Sequence, residues 1–343
     1  MNENVIRAQF PHASGYLNTA SVGIGPQQAT AAVGAAIIEW GRGRSDPGAF
    51  DVDVGRARRA YARIVGVDTT AVAIVSQVSV ASAMVAASLP TGARVLCPEE
   101  DFASVLFPFL ADERLSVELA PLDSLLEHID DETDLVAASA VQSSDGRVLD
   151  LDALARRAAA TKTRTYVDVS QAAGWLPIDA GRFDVTAGGA YKWLLSPRGS
   201  GFVTVGPNAG WIRPLYPGWY SGPDPWDSLY GPPLRLADDA RRLDASPAWF
   251  DLVGAAHSLE LLADLGVERI QDHSVGLANE FRAIAGVEPS NSAIVSIANK
   301  RGPALAEAGV KAAVRAGRVR LSFYLYNTAD DVARAASALG YRL

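Results

Sequence analysis

Short apolar runs rich in β-branched residues alternate with amphipathic or alanine-rich stretches between residues 70 and 205. Of all the features of the sequence, this alternation limits the possible folds most. The predicted strands are Val72–Val75, Arg94–Cys97, Ser116–Ala120, Leu135–Ser139, Thr165–Asp168, Val185–Ala187 and Gly201–Val205. The predicted helices between them are Val80–Ser88, Ser104–Ala111, Ser124–His128 and Leu151–Thr161. Alternation on this scale predicts an α/β fold with a mostly parallel seven-stranded sheet covered by helices.

Two regions flank this alternation. Upstream, Pro26 fits the first turn of a helix that we predict from Gln27 to about Trp40. Residues 206–247 contain eight prolines, and four of the seven tryptophans lie between Trp211 and Trp249, which predicts an ordered, functional loop. Beyond it we predict helices near Ala248–Leu265 and Glu268–Ala285, strands near Ile294–Ile297 and Val319–Phe323, and a last helix near Thr328–Leu339.

The length of the chain indicates how many domains to expect, and its charge indicates which classes of partner to exclude. Because 343 residues exceed one compact core, we predict a large α/β domain of residues 16–240 and a small α+β domain of residues 1–15 and 241–343. The net charge is −8 and no run of Lys or Arg stands out, so neither nucleic acid nor an anionic membrane is an expected partner. The pair Arg58-Arg59 is interpreted as a solvated helix face.

Several other classes of protein are disfavoured. A single cysteine, Cys97, excludes an internal disulfide and suits a reducing compartment. The first residues lack the apolar core of a signal peptide, and apolar stretches such as 78–89 are too short and serine-rich to span a bilayer. We therefore expect a cytoplasmic protein. The four histidines are scattered without the spacing of a zinc site, so no metal is expected.

The segment from Tyr166 to Val205 is the most informative for function. One predicted strand ends in Asp168, and the next leads through Gly188-Gly189-Ala190-Tyr191 into Lys192. In an open α/β sheet, ligands bind beyond the carboxyl ends of the strands. We therefore expect the carboxylate and the amine to belong to one ligand site.

Eight short segments, taken in order, carry a family resemblance. They are YLNTASVG (16–23), SQVSVA (76–81), EEDFAS (99–104), VQSSDG (141–146), DVSQ (168–171), AYKW (190–193), RLDASPAW (242–249) and RLSFYLYNT (320–328). Together they resemble the class V aminotransferase-like group of fold-type I pyridoxal-phosphate enzymes, which includes cysteine desulfurases, kynureninase, isopenicillin-epimerase-like proteins and C–S lyases. The resemblance covers nearly the whole chain. It implies pyridoxal 5′-phosphate as cofactor, a small-molecule amino substrate and a homodimer with shared active sites.

The resemblance implies that Lys192 forms a Schiff base with the cofactor. Such a lysine must be neutral to attack the aldehyde, and burial near other cations lowers its pKa. Lys162 and Lys300 lie in polar contexts and Lys311 on a helix-like surface stretch, so they are poorer candidates. Asp168 matches the carboxylate that pairs with the pyridine nitrogen, because a protonated ring accepts electrons. The alternatives are a surface lysine and a turn or helix-capping aspartate.

Other segments imply the contacts of the cofactor. Backbone N–H groups of Val78, Ser79 and Val80 open a helix and suit a phosphate, with Ser79 as both N-cap and phosphate donor. Tyr191 resembles a phosphate-binding tyrosine, and Ser246 resembles a residue that reaches the phosphate of the neighbouring subunit. Phe102 is expected to stack on the ring where most desulfurases place a histidine, unless it is a core residue. Near the phenolic oxygen we expect Gln171, Ser143 and, less directly, Gln142.

The substrate side is implied by three segments. Arg320 is expected to clamp a substrate carboxylate, with Arg318 as the competing candidate. Asn18 is expected to line the substrate entrance, and Trp219 with Tyr220 to cover the pocket. These residues leave transamination, β-elimination and epimerisation open, with transamination as the favoured reaction.

Two alternatives remain, a C–S or C–C lyase and a non-catalytic binding protein of the same fold. Residues 240–343 contain no cysteine, which disfavours desulfuration through a persulfide.

Overall fold

The computed structural model describes residues 3–342 as ten α-helices and ten strands, with short 3-10 helices between them. The helices are α1 (Glu3–Gln9), α2 (Gln27–Gly41), α3 (Pro47–Val65), α4 (Val78–Ser88), α5 (Ala103–Leu110), α6 (Leu151–Thr161), α7 (Trp249–Leu265), α8 (Val267–Ala285), α9 (Ala304–Glu307) and α10 (Ala329–Ala338). The strands are β1 (Val72–Val75), β2 (Arg94–Pro98), β3 (Ser116–Ala120), β4 (Leu135–Ser139), β5 (Arg164–Asp168), β6 (Val185–Gly189), β7 (Gly201–Val205), β8 (Ile294–Ile297), β9 (Ala313–Arg315) and β10 (Arg318–Ser322).

Seven strands form the large sheet in the order β1-β7-β6-β5-β4-β2-β3. The neighbours from β3 through β2, β4 and β5 to β6 are parallel, whereas β7 runs antiparallel to both β6 and β1. The other three strands form a small antiparallel sheet in the order β8-β10-β9. The predicted fold class, a mostly parallel seven-stranded sheet with a smaller α+β part, is confirmed.

Three strands of the large sheet are buried along their whole length because helices cover both faces of the sheet. Every residue of β1, β4 and β6 is buried. One apolar cluster joins the sheet to α3, α6 and α7, and a second joins the opposite face to α4 and α5. A third cluster lies between the small sheet, α8 and α10. The chain between residues 3 and 342 contains no helix long and apolar enough to cross a membrane.

The amino-terminal segment connects the two sheets. Tyr16 pairs with Lys311 and Asn18 pairs with Ser322 through isolated parallel bridges beside the small sheet. The same segment then reaches the large sheet, where the Gly23 N–H donates to the Tyr191 carbonyl (2.9 Å). The proposed domain limits at residues 15/16 and 240/241 stay a prediction. Helix α7, which they assign to the small domain, packs in the same cluster as α3.

Three interpretations of the sequence are corrected. Residues 122–128 form a 3-10 helix rather than an α-helix. Lys311 lies in an extended segment, since its own N–H donates to the Gly15 carbonyl and its carbonyl accepts from the Leu17 N–H instead of closing helical turns. Arg58 is buried in α3 rather than solvated, because a carboxylate distant in sequence compensates its charge.

That carboxylate belongs to Asp244, which is 1% exposed. Arg58 Nη2 donates to Asp244 Oδ2 (2.6 Å), and the Ile74 N–H donates to Oδ1 of the same group (2.8 Å). Ser221 Oγ donates to the Asp244 carbonyl (2.8 Å). One buried ion pair thus joins α3, strand β1 and the end of the proline-rich loop.

We expect Asp244→Asn to lower the free energy of unfolding by about 3–5 kcal/mol, because the guanidinium of Arg58 then remains buried without a counter-charge. Urea unfolding followed by circular dichroism measures the effect. Asp264→Asn is the matched control, since Asp264 pairs with Arg63 at the surface, with side chains 70% and 57% exposed. Equal urea midpoints for the two variants would contradict the stabilising role.

Candidate active site

A cavity of about 500 Å³ opens at the carboxyl ends of β5 and β6. Its walls come from the turn before α4, the start of α5, and the loops that follow β5 and β6. Asp168 ends β5, and Lys192 follows β6 by three residues. The residues that line the cavity are Ser76, Gln77, Val78, Phe102, Ser104, Asp168, Ser170, Gly189, Tyr191, Lys192, Arg198 and Gly199. The structure therefore brings the carboxylate and the amine into one site.

A tight loop holds Lys192 in place. Ser196 donates its N–H to the Ala190 carbonyl (3.0 Å), and Leu195 donates to the Lys192 carbonyl (3.1 Å). Leu195 takes a left-handed φ of 55°, which costs energy for a side chain of this size and is held by complete burial. Gly23 passes so close that a Cβ there would lie 2.0 Å from the Lys192 carbonyl oxygen, so only glycine fits.

Burial controls the charge of Lys192, which is 6% exposed. The pKa of its amine falls to about 8, mainly through loss of hydration; Asp168 opposes this shift, and the nearby cations Arg320, Arg315 and Arg198 contribute to it. The amine is therefore partly neutral near neutral pH, the form in which it is a nucleophile and a base.

Asp168 is 5% exposed and accepts a hydrogen bond from the Ser170 N–H at Oδ1 (2.7 Å). Burial raises the pKa of its carboxyl group, while the hydrogen bonds from Ser170 and the charge of Lys192 act in the opposite direction. Desolvation is thus the first cause of the pKa shift in both Asp168 and Lys192.

Gln171 is held by protein partners on both sides of its amide. Its Oε1 accepts from Trp193 Nε1 (2.7 Å), and its Nε2 donates to the Ala20 carbonyl (2.9 Å) and to Ser143 Oγ (3.0 Å). Both amide hydrogens are therefore engaged, and its expected contact with a phenolic oxygen stays a prediction. Gln142 is 1% exposed, and its amide has no partner of hydrogen-bond geometry among the described residues.

The turn before α4 differs from the expectation. The helix begins at Val78, and its N-cap is Gln77 in an extended conformation without a side-chain cap, so Ser79 as N-cap is wrong. Val80 donates its N–H to the Gln77 carbonyl (3.2 Å), and Ser79 borders a separate groove with Ala83. The N–H groups of Val78 and Ser79 lie in the first turn, where no intrahelical acceptor exists. They remain suited to an anion.

Phe102 and Tyr191 stand beside the amine. Lys192 Nζ lies 5.3 Å from the ring centroid of Phe102 and 5.6 Å from that of Tyr191. Phe102 is 45% exposed, so it is a cavity wall rather than a core residue. Asp101, which the sequence did not single out, fixes this wall, because its carboxylate accepts from the Phe102 N–H (2.6 Å) and the Ser139 N–H (2.7 Å).

Arg320 is 2% exposed and has no carboxylate partner among the residues that the structure describes. Its guanidinium donates to the Ser143 carbonyl and to Ser21 Oγ (2.8 Å). Burial, and then the charge of Arg315, lower its pKa to about 10. Arg315 also donates to Ser21 Oγ (3.3 Å), so two guanidinium groups converge on one hydroxyl. Arg318 instead points to Ser296, which separates it from this cluster.

Eight of the expected site residues do not line the cavity of their own chain: Ser79, Val80, Ser143, Gln171, Arg320, Asn18, Trp219 and Ser246. Asn18 pairs with Ser322, and its buried Oδ1 has no hydrogen-bond partner within residues 3–342. Trp219 packs edge-on against Tyr220 and Trp226, 4.9 and 5.3 Å away, and both of those residues donate hydrogen bonds to Asp51 in α3. Ser246 is exposed beyond the loop that ends at Asp244. Their expected roles stay predictions.

Comparison with known proteins identifies the family. Residues 56–285 match the aminotransferase class-V family. The chain belongs to this family. It is 31% identical to the uncharacterized aminotransferase YcbU of Bacillus subtilis over 81% of this chain and 81% of that protein. It is 27% identical to isopenicillin N epimerase of Streptomyces clavuligerus over 69% of this chain and 65% of that protein.

Solved structures agree with the fold of this family. The cysteine desulfurase CsdA of Escherichia coli superposes with a TM-score of 0.83 at 20% identity, covering 99% of this chain and 98% of that one. A structure of C-DES with glycine covalently linked to its pyridoxal-phosphate cofactor gives a TM-score of 0.84 at 21% identity, covering 98% and 99%. At this identity the likeness describes the fold alone.

Members of the class V family bind pyridoxal phosphate, and the cavity fits such a group. It combines a buried carboxylate, an amine whose pKa is lowered and the start of a helix without a side-chain cap. Its volume of about 500 Å³ is typical of small-molecule sites. By contrast, no group of His, Cys, Asp or Glu side chains within residues 3–342 is arranged to hold a metal ion.

We expect the amine of Lys192 in the cofactor-free protein to react with an acylating reagent at a rate that rises about tenfold per pH unit and levels off above pH 8. Asp168→Asn should move the midpoint to lower pH, because it removes a charge that favours the ammonium form. Pulse labelling with site-resolved mass spectrometry measures both profiles, with exposed Lys162 as the reagent reference. A midpoint at the ordinary lysine value of 10.5 would contradict the effect of burial.

Proposed function

We propose that this chain is a pyridoxal-phosphate-dependent enzyme that acts at Cα or Cβ of an amino acid or an amino-acid-derived metabolite, with transamination as the favoured reaction. The observation that carries the proposal is the meeting of Lys192 and Asp168 in one cavity at the carboxyl ends of β5 and β6. Asp168 would pair with the pyridine nitrogen and Phe102 would stack on the ring. Val78, Ser79 and Tyr191 would hold the phosphate.

The bound cofactor supplies an electron sink that stabilises negative charge at the substrate Cα. Lys192 is the group placed to remove the Cα proton, because its amine is buried and its pKa is lowered to about 8. Phe102 forms the wall beside the amine and has no proton to exchange. Proton transfer therefore falls to Lys192.

Arg320 supports a substrate with a carboxylate. A buried guanidinium without a counter-charge favours an anion that can form paired hydrogen bonds with it. Arg315 adds a second cation beside it. This arrangement supports an amino acid as substrate more than an amino sugar.

An alternative reaction is β-elimination by a C–S or C–C lyase, which the phenylalanine wall in place of a histidine favours. Persulfide transfer is disfavoured, because Cys97 is the single cysteine and is fully buried. Burial also raises the pKa of its thiol well above the ordinary value. A non-catalytic binding protein is the remaining alternative. An activity that is lost in Lys192→Ala and Asp168→Asn would identify the protein as an enzyme instead.

We also infer a homodimer with shared active sites. Ser246 is exposed and does not line the cavity of its own chain, as is expected for a residue that reaches the phosphate of the neighbouring subunit. Sedimentation of the protein and its Ser246→Ala variant, combined with cofactor affinity, tests this arrangement.

We expect the protein to retain pyridoxal phosphate covalently on Lys192 after borohydride reduction, and Lys192→Ala to lose this linkage. Peptide mapping by mass spectrometry locates the modified residue. Lys162→Ala is the matched control and should be modified like the unaltered protein, because Lys162 is exposed at the end of α6. Reduction that fixes the cofactor elsewhere would remove Lys192 from its role.

The same cofactor-loaded protein can be used to distinguish transamination from elimination. Incubation with a panel of amino acids should convert the cofactor to its amine form and release the matching keto acid. Release of pyruvate, ammonia or sulfide without that conversion would overturn transamination in favour of elimination. Absence of any product with every member of the panel would favour the binding protein.

Asp168→Asn should keep the cofactor on Lys192 but lower turnover about 10²- to 10³-fold, because the amide cannot hold a positive charge on the pyridine nitrogen. Single-turnover absorbance kinetics with the best substrate of the panel measures the loss. Asp101→Asn is an informative comparison, since Asp101 is also a buried carboxylate but contacts Phe102 and Ser139 instead. Unchanged turnover in Asp168→Asn would exclude the proposed role.

A further inference from the structure

The cavity contains one cation that the proposed chemistry does not use. Its charged lining residues are Asp168, Lys192 and Arg198. Once Lys192 has condensed with an aldehyde and Asp168 has paired with a ring nitrogen, Arg198 is the charged side chain that remains among the described lining residues. A phosphate monoester carries about −1.5 to −2 charges at neutral pH, and transfer of such an anion into a cavity is costly without a compensating cation.

Arg198 lines the same cavity as the groups suited to an anion. It shares the lining with Gln77 and Val78 at the uncapped start of α4, an 11-residue helix with no acidic residue in its first turn. Its guanidinium carbon lies 5.2 Å from the centroid of the Tyr191 ring, which orients the planar group beside the tyrosine. Arg198, Tyr191 and the helix start thus line the same cavity.

The guanidinium of Arg198 is available. It is exposed and forms no ion pair with a carboxylate in the described part of the chain. Asp251 in α7 lies against Gly199, but the pKa of its carboxyl group is raised by burial and shows no contribution from Arg198. Arg198 does act on both Tyr191 and Lys192, whose pKa values its charge lowers.

We propose that Arg198 is the phosphate-binding cation of this site, acting with Tyr191 and the N–H groups at the start of α4. The inference rests on the proposed cofactor, and it names a recognition residue that the sequence did not indicate. It implies that the site discriminates phosphorylated from unphosphorylated pyridoxal mainly through this side chain. It also gives Arg198 a second effect, because an anion beside it offsets the charge that favours the neutral amine of Lys192.

The test compares three ligands with the cofactor-free protein: pyridoxal phosphate, pyridoxal and inorganic phosphate. Dissociation constants come from absorbance titration for the first two and from calorimetry for phosphate. Arg198→Ala should weaken pyridoxal phosphate and inorganic phosphate about 10- to 100-fold and leave pyridoxal within about twofold. Arg198→Lys should recover part of the loss, since it restores the charge but not the planar pair of donors.

Arg156→Ala is the matched control. Arg156 is exposed on α6 away from the cavity, and its removal changes the net charge by the same amount. The inference is overturned if Arg198→Ala weakens pyridoxal phosphate and pyridoxal equally, if it weakens neither, or if Arg156→Ala reproduces its effect.

The same measurements keep the two proposals apart. If neither pyridoxal compound becomes reducible onto Lys192 in the unaltered protein, the proposed function fails, and the phosphate titrations still decide the role of Arg198. If the unaltered protein binds the cofactor and the ratio of the two pyridoxal affinities is the same in Arg198→Ala, the role of Arg198 fails alone.

Discussion

Burial drives Lys192 and Asp168 toward their uncharged forms, whereas their mutual attraction favours the charged forms, and the site depends on the balance. For Lys192 the loss of hydration exceeds the attraction of the carboxylate, and the pKa of the amine falls to about 8. Three guanidinium groups, those of Arg320, Arg315 and Arg198, add to this effect. Without them, the pair would lie closer to a permanent ion pair, in which the amine is protonated and unreactive.

The fold produces this balance by placing the carboxyl ends of neighbouring parallel strands side by side. Asp168 pairs in register with Ala187 of the neighbouring parallel strand, so both strands deliver their next residues to the same edge. The segment of residues 16–23 then joins this edge to the small sheet. The Leu17 carbonyl accepts from the Ser322 N–H (3.0 Å), and the Gly23 N–H donates to the Tyr191 carbonyl (2.9 Å). Arg320 and Lys192 are thus held by one continuous stretch of backbone.

The sequence predicted the large sheet well because most of its strands are buried and appear as short apolar runs, whereas β3 is largely exposed. It did not predict the order of the strands, nor the antiparallel direction of β7, since both depend on pairing between distant segments. The solvated interpretation of Arg58 was wrong for the same reason, because its partner Asp244 lies 186 residues away. Gln77 was missed as an N-cap because glutamine is not among the residues that prefer this position.

The site was predictable where chemistry selects a residue type at a strand end. Asp168, Tyr191, Lys192 and Phe102 all line the cavity that the segment order implied. Ser21, Asp101 and Arg198 were not indicated, since each acts through a contact made only in the folded chain. The one available signal for Arg198 was its place in a Pro-Arg-Gly turn shortly after Lys192.

The titratable side chains in the cavity bear on which of the proposed reaction types the site would favour. The titratable side chains that line the cavity in the described chain are Asp168, Tyr191, Lys192 and Arg198. Burial raises the pKa of Tyr191 above its ordinary value, and an arginine stays protonated, so neither exchanges a proton readily near neutral pH. In the proposed site, epimerisation would need a second proton donor besides Lys192, and Phe102, the side chain proposed to stack on the ring, has no proton to exchange. Under the proposed function, a site whose mobile proton donor is Lys192 would suit transamination, in which Lys192 removes and returns the proton, or elimination, in which Lys192 removes it.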